Sequence, residues 1–443
     1  MALAKPDPQA VIYMGIDFGT TYSCLAYQVE VSGHLRPEVN YALDASSSFS
    51  VCPEKIPTQL PLFQDGSSAS SSSEHSVLQW FKLMILWRDD LSHFRRSSKF
   101  AEAEKKFDEV GQGVLEVTTI YFQRLWASFV KGLPFSVEQC KVHVTLTTPA
   151  NWPHDAKQRM RKAIDATGIF NRLQCYPSLI CEPEAAAVFL ITYELQRINP
   201  KENDTIVVCD CGGGTADCVS FQVSGLSPLS LAECVPSEYT LSGAVILNDL
   251  FREKALIIAG GFGKNLFLQN EVNKMIEGDF GSSVGVIVYH DNIGWKSEAH
   301  GALYHAINTE RRDGQTIVAC RLSPNKYGFR PPNQGVKWFL EKGANLSTRR
   351  PNMFRIRLEN FETVSRNSAK YLTLDLYSIQ SGIGSGYSRQ VCKVTWLWLQ
   401  ELDRPSDDSF DLGVVYDGII VSFTLYYKGK LQGPDQVTFK YEY

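Results

Sequence analysis

The stretch Cys209–Cys218 constrains the fold more than any other part of this chain, and it reads Cys-Asp-Cys-Gly-Gly-Gly-Thr-Ala-Asp-Cys. A β-branched run at 205–208 precedes it and an alternating run at 219–223 follows, which predicts a β-hairpin. Consecutive glycines cost backbone entropy, so we expect them where backbone N–H groups approach a ligand. Phosphate oxygens suit such a turn, and the flanking Asp210 and Asp217 favour a bound magnesium ion. The residues also allow a plain glycine hairpin with two solvated aspartates.

A second turn of the same form lies near the start of the sequence. Gly15–Ser23 reads Gly-Ile-Asp-Phe-Gly-Thr-Thr-Tyr-Ser and separates the apolar runs Val11–Met14 and Cys24–Val29. Two such hairpins predict two related lobes that close on one phosphate chain. Neither turn has the lysine of a Walker motif or the helix of a dinucleotide motif.

Together, these turns resemble the two phosphate loops of the actin-like ATPase superfamily. Further motifs narrow the resemblance to the heat shock protein 70 family: Thr20–Cys24 (Thr-Thr-Tyr-Ser-Cys), Pro149–Trp152 (Pro-Ala-Asn-Trp), Glu182–Ala187 and Ala259–Gly263. They occur in the family order and cover about residues 11–310. The chain is most similar to the divergent branch that includes many fungal heat-shock-like proteins.

The resemblance implies an α/β fold with two ribonuclease H-like lobes, as in an actin-like ATPase, followed by an antiparallel β-rich region. We therefore expect a disordered leader at 1–10, a first ATPase lobe at 11–200, a second lobe at 201–310 and the β-rich region at 311–443. β-branched and aromatic runs after residue 330, separated by turn residues, favour that last assignment.

The second lobe departs from the family pattern. After Phe251–Lys254 the sequence enters Ala255–Gly261 directly, whereas a whole subdomain separates these elements in relatives. That subdomain supplies half of the adenine pocket. We therefore expect a truncated second lobe, whose cause is either a genuine deletion or an exon lost from the gene model.

The resemblance also implies ATP and Mg²⁺ as cofactors, with Asp17 and Asp210 holding the hydrated metal ion. The implied phosphate contacts are Gly19, Thr20, Thr21, Tyr22, Gly212, Gly213, Gly214 and Thr215. The implied adenosine contacts are Gly260, Gly261, Phe262 and Gly263.

Four residues carry the implied ATP hydrolysis, namely Lys82, Glu182, Asp210 and Asp217. Glu182 would orient the attacking water, Lys82 would neutralise developing charge, and Asp217 would support the site. Two simpler interpretations stay open from the residues. Lys82, in an expected helix over Val77–Trp87, could extend to the surface. Glu182 could be a helix N-terminal carboxylate stabilised by the helix dipole.

Composition limits the partners. The net charge is −4, which does not indicate a nucleic-acid surface, and no apolar run is long enough to cross a membrane. The 11 cysteines are scattered, which favours the reducing cytoplasm or nucleus. Cys209 and Cys211 share one face of a strand, but no second pair has zinc-like spacing, so buried thiols are the favoured interpretation.

The sequence leaves two functions open. The first is an ATP-binding, ATP-hydrolysing chaperone whose partners are ATP or ADP, unfolded polypeptides and co-chaperones. The second is a degenerate relative that binds nucleotide weakly and acts through protein interactions. A metabolite kinase of the same superfamily is disfavoured, because no kinase signature accompanies the two turns.

Overall fold

The computed structural model describes residues 10–43, 54–61, 77–86, 98–150, 152–173, 175, 177–193, 195–211, 216–239, 255–260, 263, 265–275, 286–289, 296–311, 317–348, 350–366, 369–379, 388–398, 409–434 and 437–441. The fold is mixed α/β with several sheets. Within these residues, none of the helices combines the length and the apolar character that crossing a bilayer requires.

The strands as far as residue 289 are β1 (Val11–Phe18), β2 (Tyr22–Val31), β3 (His34–Leu35), β4 (Asn40–Tyr41), β5 (Ile56–Pro57), β6 (Gln59–Pro61), β7 (Val77–Gln79), β8 (Lys141–Thr148), β9 (Ser178–Cys181), β10 (Thr205–Cys211), β11 (Ala216–Leu226), β12 (Leu229–Tyr239), β13 (Ala255–Ala259) and β14 (Val286–Tyr289). The helices are α1 (Ser98–Val110), α2 (Val114–Gly132), α3 (His154–Ala166), α4 (Ile169–Arg172), α5 (Glu182–Tyr193), α6 (Leu195–Ile198), α7 (Leu266–Met275) and α8 (Ser297–Arg311).

Later strands are β15 (Val318–Leu322), β16 (Lys326–Arg330), β17 (Lys337–Leu340), β18 (Asn345–Ser347), β19 (Asn352–Arg357), β20 (Glu362–Arg366), β21 (Ala369–Ile379), β22 (Ser388–Trp398), β23 (Ser409–Tyr416), β24 (Val421–Tyr427), β25 (Lys430–Leu431) and β26 (Val437–Tyr441). Short 3-10 helices occur at Phe81–Ile85, Val137–Gln139 and Leu358–Asn360.

The chain divides into two compact units. The first unit contains Met1–Val219 and Glu238–Ile317, and the second contains Ser220–Ser237 and Val318–Tyr443. The second unit therefore takes in a segment that precedes residue 311 as well as the β-rich region. The assignment of the chain to ATPase lobes stays a prediction.

In the first unit, β1 lies at the centre of a sheet with the order β3-β2-β1-β8-β9. Strand β2 is antiparallel to β1, whereas β8 is parallel to β1 and β9 is parallel to β8. Strand β1 is buried along most of its length, which fits its nearly continuous apolar sequence, since strands covered on both faces need not alternate.

A second group of strands in the same unit repeats this parallel order. Strand β13 is parallel to β10, with Asp210 opposite Ala259, and β14 is parallel to β13. The three strands β10-β13-β14 thus match β1-β8-β9 in direction and order. In both groups the first strand carries an aspartate one residue before its end, Asp17 in β1 and Asp210 in β10.

Helices α5 and α8 pack closely because small residues line their contact. A Cβ atom at Gly301 of α8 would collide with the backbone carbonyl of Ala185 in α5. A Cβ atom at Gly15 of β1 would collide with the backbone of α8 at Ala299 and Leu303. Helix α8 is therefore held against both α5 and β1 at backbone contact distance.

Two sheets of the second unit consist of antiparallel strands around one apolar core, whereas β12 and β15 of the same unit pair in parallel. One sheet has the order β17-β16-β21-β22-β26 and another has the order β19-β23-β24-β25. Their inward side chains, among them Leu374, Val394, Leu412 and Leu425, are buried together. The β-rich character predicted for residues 311–443 is confirmed, and one of its β-branched and aromatic runs, Val421–Tyr427, forms strand β24.

Apolar residues at near-helical spacing over Val114–Val130 predict a core helix, and the structure confirms it as α2, Val114–Gly132, with that face largely buried. The expected helix over Val77–Trp87 is wrong. That segment forms the short strand β7 followed by the 3-10 helix Phe81–Ile85. Trp80 lies between them with φ of 62°, and this left-handed conformation interrupts a regular helix. The sequence also predicts that Leu241–Gly243 opens a helix through Asn248–Arg252, and those residues lie outside the described ones.

The α5–α8 contact predicts a glycine requirement. Gly301→Ala should lower the free energy of unfolding by about 1–3 kcal/mol, because the added methyl group forces two backbones apart. The matched control is Gly132→Ala at the end of α2, where no atom of the described part of the chain lies within 4 Å of the position that an added methyl group would take. Chemical denaturation measures both, and equal stability of the two variants would contradict this packing.

Candidate functional site

The carboxyl ends of β1, β8 and β9 bring three polar side chains to one edge of the sheet. The hydroxyl group of Thr147 in β8 donates a hydrogen bond to Oδ1 of Asp17 at 3.0 Å. Glu182 follows the last residue of β9 directly and is the first residue of α5. In α/β sheets this edge is where ligands bind. Asp17 and Glu182 were singled out from the sequence, whereas Thr147 was not.

Lys82 and Glu182 form a buried ion pair. Nζ of Lys82 donates to Oε1 of Glu182 at 2.7 Å, and the lysine side chain is 2% exposed. The ammonium group also lies 5.4 Å from the ring centroid of Phe18 and 5.6 Å from that of Trp152. Both distances are within the range of cation–π attraction. The interpretation that Lys82 extends to the surface is therefore wrong.

Asp17 is electrostatically coupled to this pair. Burial and the nearby carboxylate of Glu182 raise the pKa of Asp17 to about 7, although Lys82 and the hydrogen bond from Thr147 oppose that rise. A carboxyl group with this pKa is only partly ionised at neutral pH. It is therefore poised to ionise fully when a cation approaches.

Asp210 and Asp217 belong to the same electrostatic cluster. Both side chains are buried. Burial raises the pKa of Asp210 well above its usual value, and the charges of Glu298, Glu182, Asp217 and Asp17 raise it further. Asp17, Glu182 and Asp217 thus lie within electrostatic range of Asp210, and Lys82 pairs with Glu182.

Glu298 is a further member that the sequence motifs did not identify. It lies in the first turn of α8 and is 4% exposed. Burial, Asp17 and Glu182 raise its pKa to about 8. Oε1 of Glu298 is buried and has no hydrogen-bond partner among the residues that the structure describes. In the sequence, Glu298 is marked only by its position directly before Ala299–Ala302, the run of mostly small residues that packs α8 against β1 and α5.

The donor set suits a hydrated magnesium ion. Among the residues that the structure describes, no group of three or more His, Cys, Asp and Glu side chains is placed to hold a metal ion by itself. Magnesium keeps several waters and uses only one or two carboxylates, so it does not need such a cage. Asp17 and Asp210 could supply those carboxylates, and the unpartnered oxygen of Glu298 could accept from a metal-bound water.

Predicted phosphate and adenosine contacts are described in part. Gly19 and Thr20 lie in the turn between β1 and β2, and the carbonyl of Thr21 accepts a hydrogen bond from Thr58 N at 2.9 Å. Gly260 has φ of 78° and directly follows Ala259, the residue opposite Asp210. Outside the described residues lie Gly212, Gly213, Gly214, Thr215, Gly261 and Phe262.

A scan against protein-family models found no match to this chain, and a search of curated proteins found no related protein.

The buried pair predicts a large effect of removing its cation. Lys82→Met should destabilise the protein by about 3–5 kcal/mol, because it leaves the carboxylate of Glu182 buried and unpaired. Adding Glu182→Gln to that variant should restore much of the loss, since the amide carries no charge. Urea denaturation of the wild type and the three variants measures this, with Glu182→Gln alone completing the cycle. A double variant no more stable than Lys82→Met would contradict the ion pair.

Raised carboxyl pKa values predict a pH dependence of stability. The pKa is about 7 for Asp17 and about 8 for Glu298 in the folded protein, whereas unfolded carboxyl groups titrate near 4. Between these values the folded state binds more protons than the unfolded state. The contribution of these two groups to the free energy of unfolding therefore decreases as pH rises from about 5 to about 8.

Glu298→Gln should make that decrease shallower, because the amide has no proton to lose. Denaturation at about pH 5.5, 7 and 8.5 measures the slope. The matched control is Glu138→Gln, since Glu138 is exposed. If Glu298→Gln and Glu138→Gln had the same slope, Glu298 would not titrate as the structure indicates.

Proposed function

We propose that this protein binds a magnesium–nucleoside triphosphate as an ATP-binding protein of the heat shock protein 70 type. The observation that carries the proposal is the repeated strand group, in which Asp17 and Asp210 lie near equivalent strand ends within one acidic cluster. A bound cation would stabilise the ionised form of these buried carboxyl groups. The paired glycine turns favour phosphate as the other ligand. The Lys82–Glu182 pair lies beside them.

When bound, magnesium would neutralise phosphate charge and hold the phosphate oxygens in place. The hydroxyl groups of Thr20 and Thr21 would donate to phosphate oxygens. Glu182 would accept a hydrogen bond from the attacking water and so orient it. Lys82 would keep Glu182 ionised and add positive charge where negative charge develops. Asp217, near the start of β11, would support the part of the site that β10 and β11 form.

Nucleotide turnover would drive a chaperone-type conformational cycle in which the β-rich unit grips unfolded polypeptide. A weakly binding relative without turnover is the second candidate. The direct connection from Phe251–Lys254 to Ala255 favours it, because the subdomain that clamps adenine in relatives has no counterpart in this sequence. Both candidates share the same phosphate site and differ in turnover.

Asp210→Asn should abolish magnesium-dependent nucleotide binding and hydrolysis while preserving the fold, because it removes one metal ligand and its charge. Titration calorimetry with ATP, with and without Mg²⁺, measures binding, and phosphate release measures turnover. The control is Asp165→Asn on the exposed side of α3. Equal binding and turnover in the wild type and Asp210→Asn, with matching thermal melts, would overturn the assignment.

The same titrations separate phosphate recognition from adenine recognition. Because one wall of the adenine pocket is missing, ATP, GTP and inorganic triphosphate should bind within roughly tenfold of one another, a spread of about 1.4 kcal/mol. Tight and adenine-selective binding would show that another segment has rebuilt the pocket wall.

A further inference from the structure

A pair of thiols lies on the hairpin that carries the acidic cluster. Cys209 lies two residues before the end of β10, and Cys218 lies two residues after the start of β11. This placement sets the two residues opposite each other across the turn. The thiol of Cys218 donates to Sγ of Cys209, with the sulfur atoms 3.0 Å apart.

Strand alternation places these thiols on the face opposite the site. Asp210 and Asp217 are the chain neighbours of Cys209 and Cys218, and side chains alternate between the faces of a strand. Each strand therefore presents a carboxyl group to the acidic cluster and a thiol to the other side. A covalent bond between the thiols would fix the two strands that position both aspartates.

We propose that Cys209 and Cys218 form a redox modification site that closes to a reversible disulfide in the presence of a hydroperoxide. Cys209 is buried and Cys218 is partly exposed, so Cys218 is the thiol that a small oxidant reaches first. This assignment rests on the placement of the two sulfur atoms and does not require the proposed nucleotide site.

The reaction proceeds in two steps. The sulfur of Cys218 attacks one peroxide oxygen, the O–O bond breaks, and the leaving oxygen departs as water or alcohol with the thiol proton, which leaves a sulfenic acid. The sulfur of Cys209 then attacks the sulfur of Cys218. The S–O bond breaks, and hydroxide leaves as water with the proton of Cys209. The two thiols are oxidised by two electrons in total, and the peroxide is reduced.

Closure should also affect ligand binding, and this part rests on the proposed function. A disulfide holds its sulfur atoms at about 2.05 Å, so closure draws the two sulfur atoms together and links β10 to β11 beside both aspartates. We expect this link to displace Asp210 and Asp217 slightly. We expect the oxidised protein to bind magnesium–ATP at least about tenfold more weakly, since small misplacements at such sites are costly.

The experiment uses full-length protein carrying Cys234→Ser, because Cys234 would otherwise share a peptide with Cys218. Protein is treated with graded hydrogen peroxide, capped with a thiol reagent and digested before aspartate. Cleavage before Asp204, Asp210 and Asp217 separates Cys209, Cys211 and Cys218 into three peptides. The expected product links peptide 204–209 to the peptide that begins at Asp217, with the loss of two hydrogen atoms.

Dithiothreitol should release the linked peptides and restore free thiols. Cys218→Ser should abolish the link, while the control Cys320→Ser on β15 should leave it unchanged. A link that uses Cys211 in place of Cys209 would overturn the proposal. So would the absence of any link at peroxide levels that oxidise other cysteines.

Magnesium–ATP binding is then measured on reduced and oxidised protein. Weaker binding after oxidation that dithiothreitol reverses supports the regulatory part of the proposal, whereas unchanged binding by protein carrying the mapped link overturns that part. If reduced protein binds no nucleotide, the proposed function fails, while the peptide map still decides the disulfide.

Discussion

The buried ion pair between Lys82 and Glu182 is the interaction on which the candidate site depends. Burying an isolated carboxylate costs several kcal/mol, and this carboxylate has further acidic neighbours in Asp17, Asp210 and Glu298. The cluster can persist in the folded chain in two ways, by holding protons or by holding cations. Lys82 supplies one permanent cation, and the raised pKa values of the neighbouring carboxyl groups show that protons supply part of the rest.

Close packing of the helices fixes this cluster in place. Helix α5 carries Glu182 at its first position, and helix α8 carries Glu298 in its first turn. Gly301 lets the two helices approach to backbone contact, and Gly15 does the same between α8 and β1. Since Gly15 and Asp17 are two residues apart on β1, they share the face that α8 covers. The close packing that these glycines allow places Glu298 within electrostatic range of Asp17. The packing of α8 therefore contributes to the raised pKa of Glu298.

Local patterns in the sequence identified the parts of the site that lie in one continuous segment. The glycine turns identified Asp17, Asp210 and Asp217, and the motif after β9 identified Glu182. Thr147 and Glu298 were missed because their roles depend on strand register and on a helix crossing between segments far apart in the chain. The helix expected around Lys82 was wrong because one left-handed residue, Trp80, changes the path of a strongly apolar segment.

The two ends of the candidate site rest on different physical supports. The end that we propose to bind phosphate is formed at strand ends, where the pairing of Asp210 with Ala259 fixes the position of Gly260 as well. That end is therefore determined by sheet hydrogen bonds that the core protects. The adenine end would rely on Gly260–Gly263, where three glycines offer only backbone and Phe262 is the single side chain able to stack on a base. A ligand would then be held mainly through its charge and its metal ion, so discrimination among bases would depend on Phe262 and on other parts of the chain.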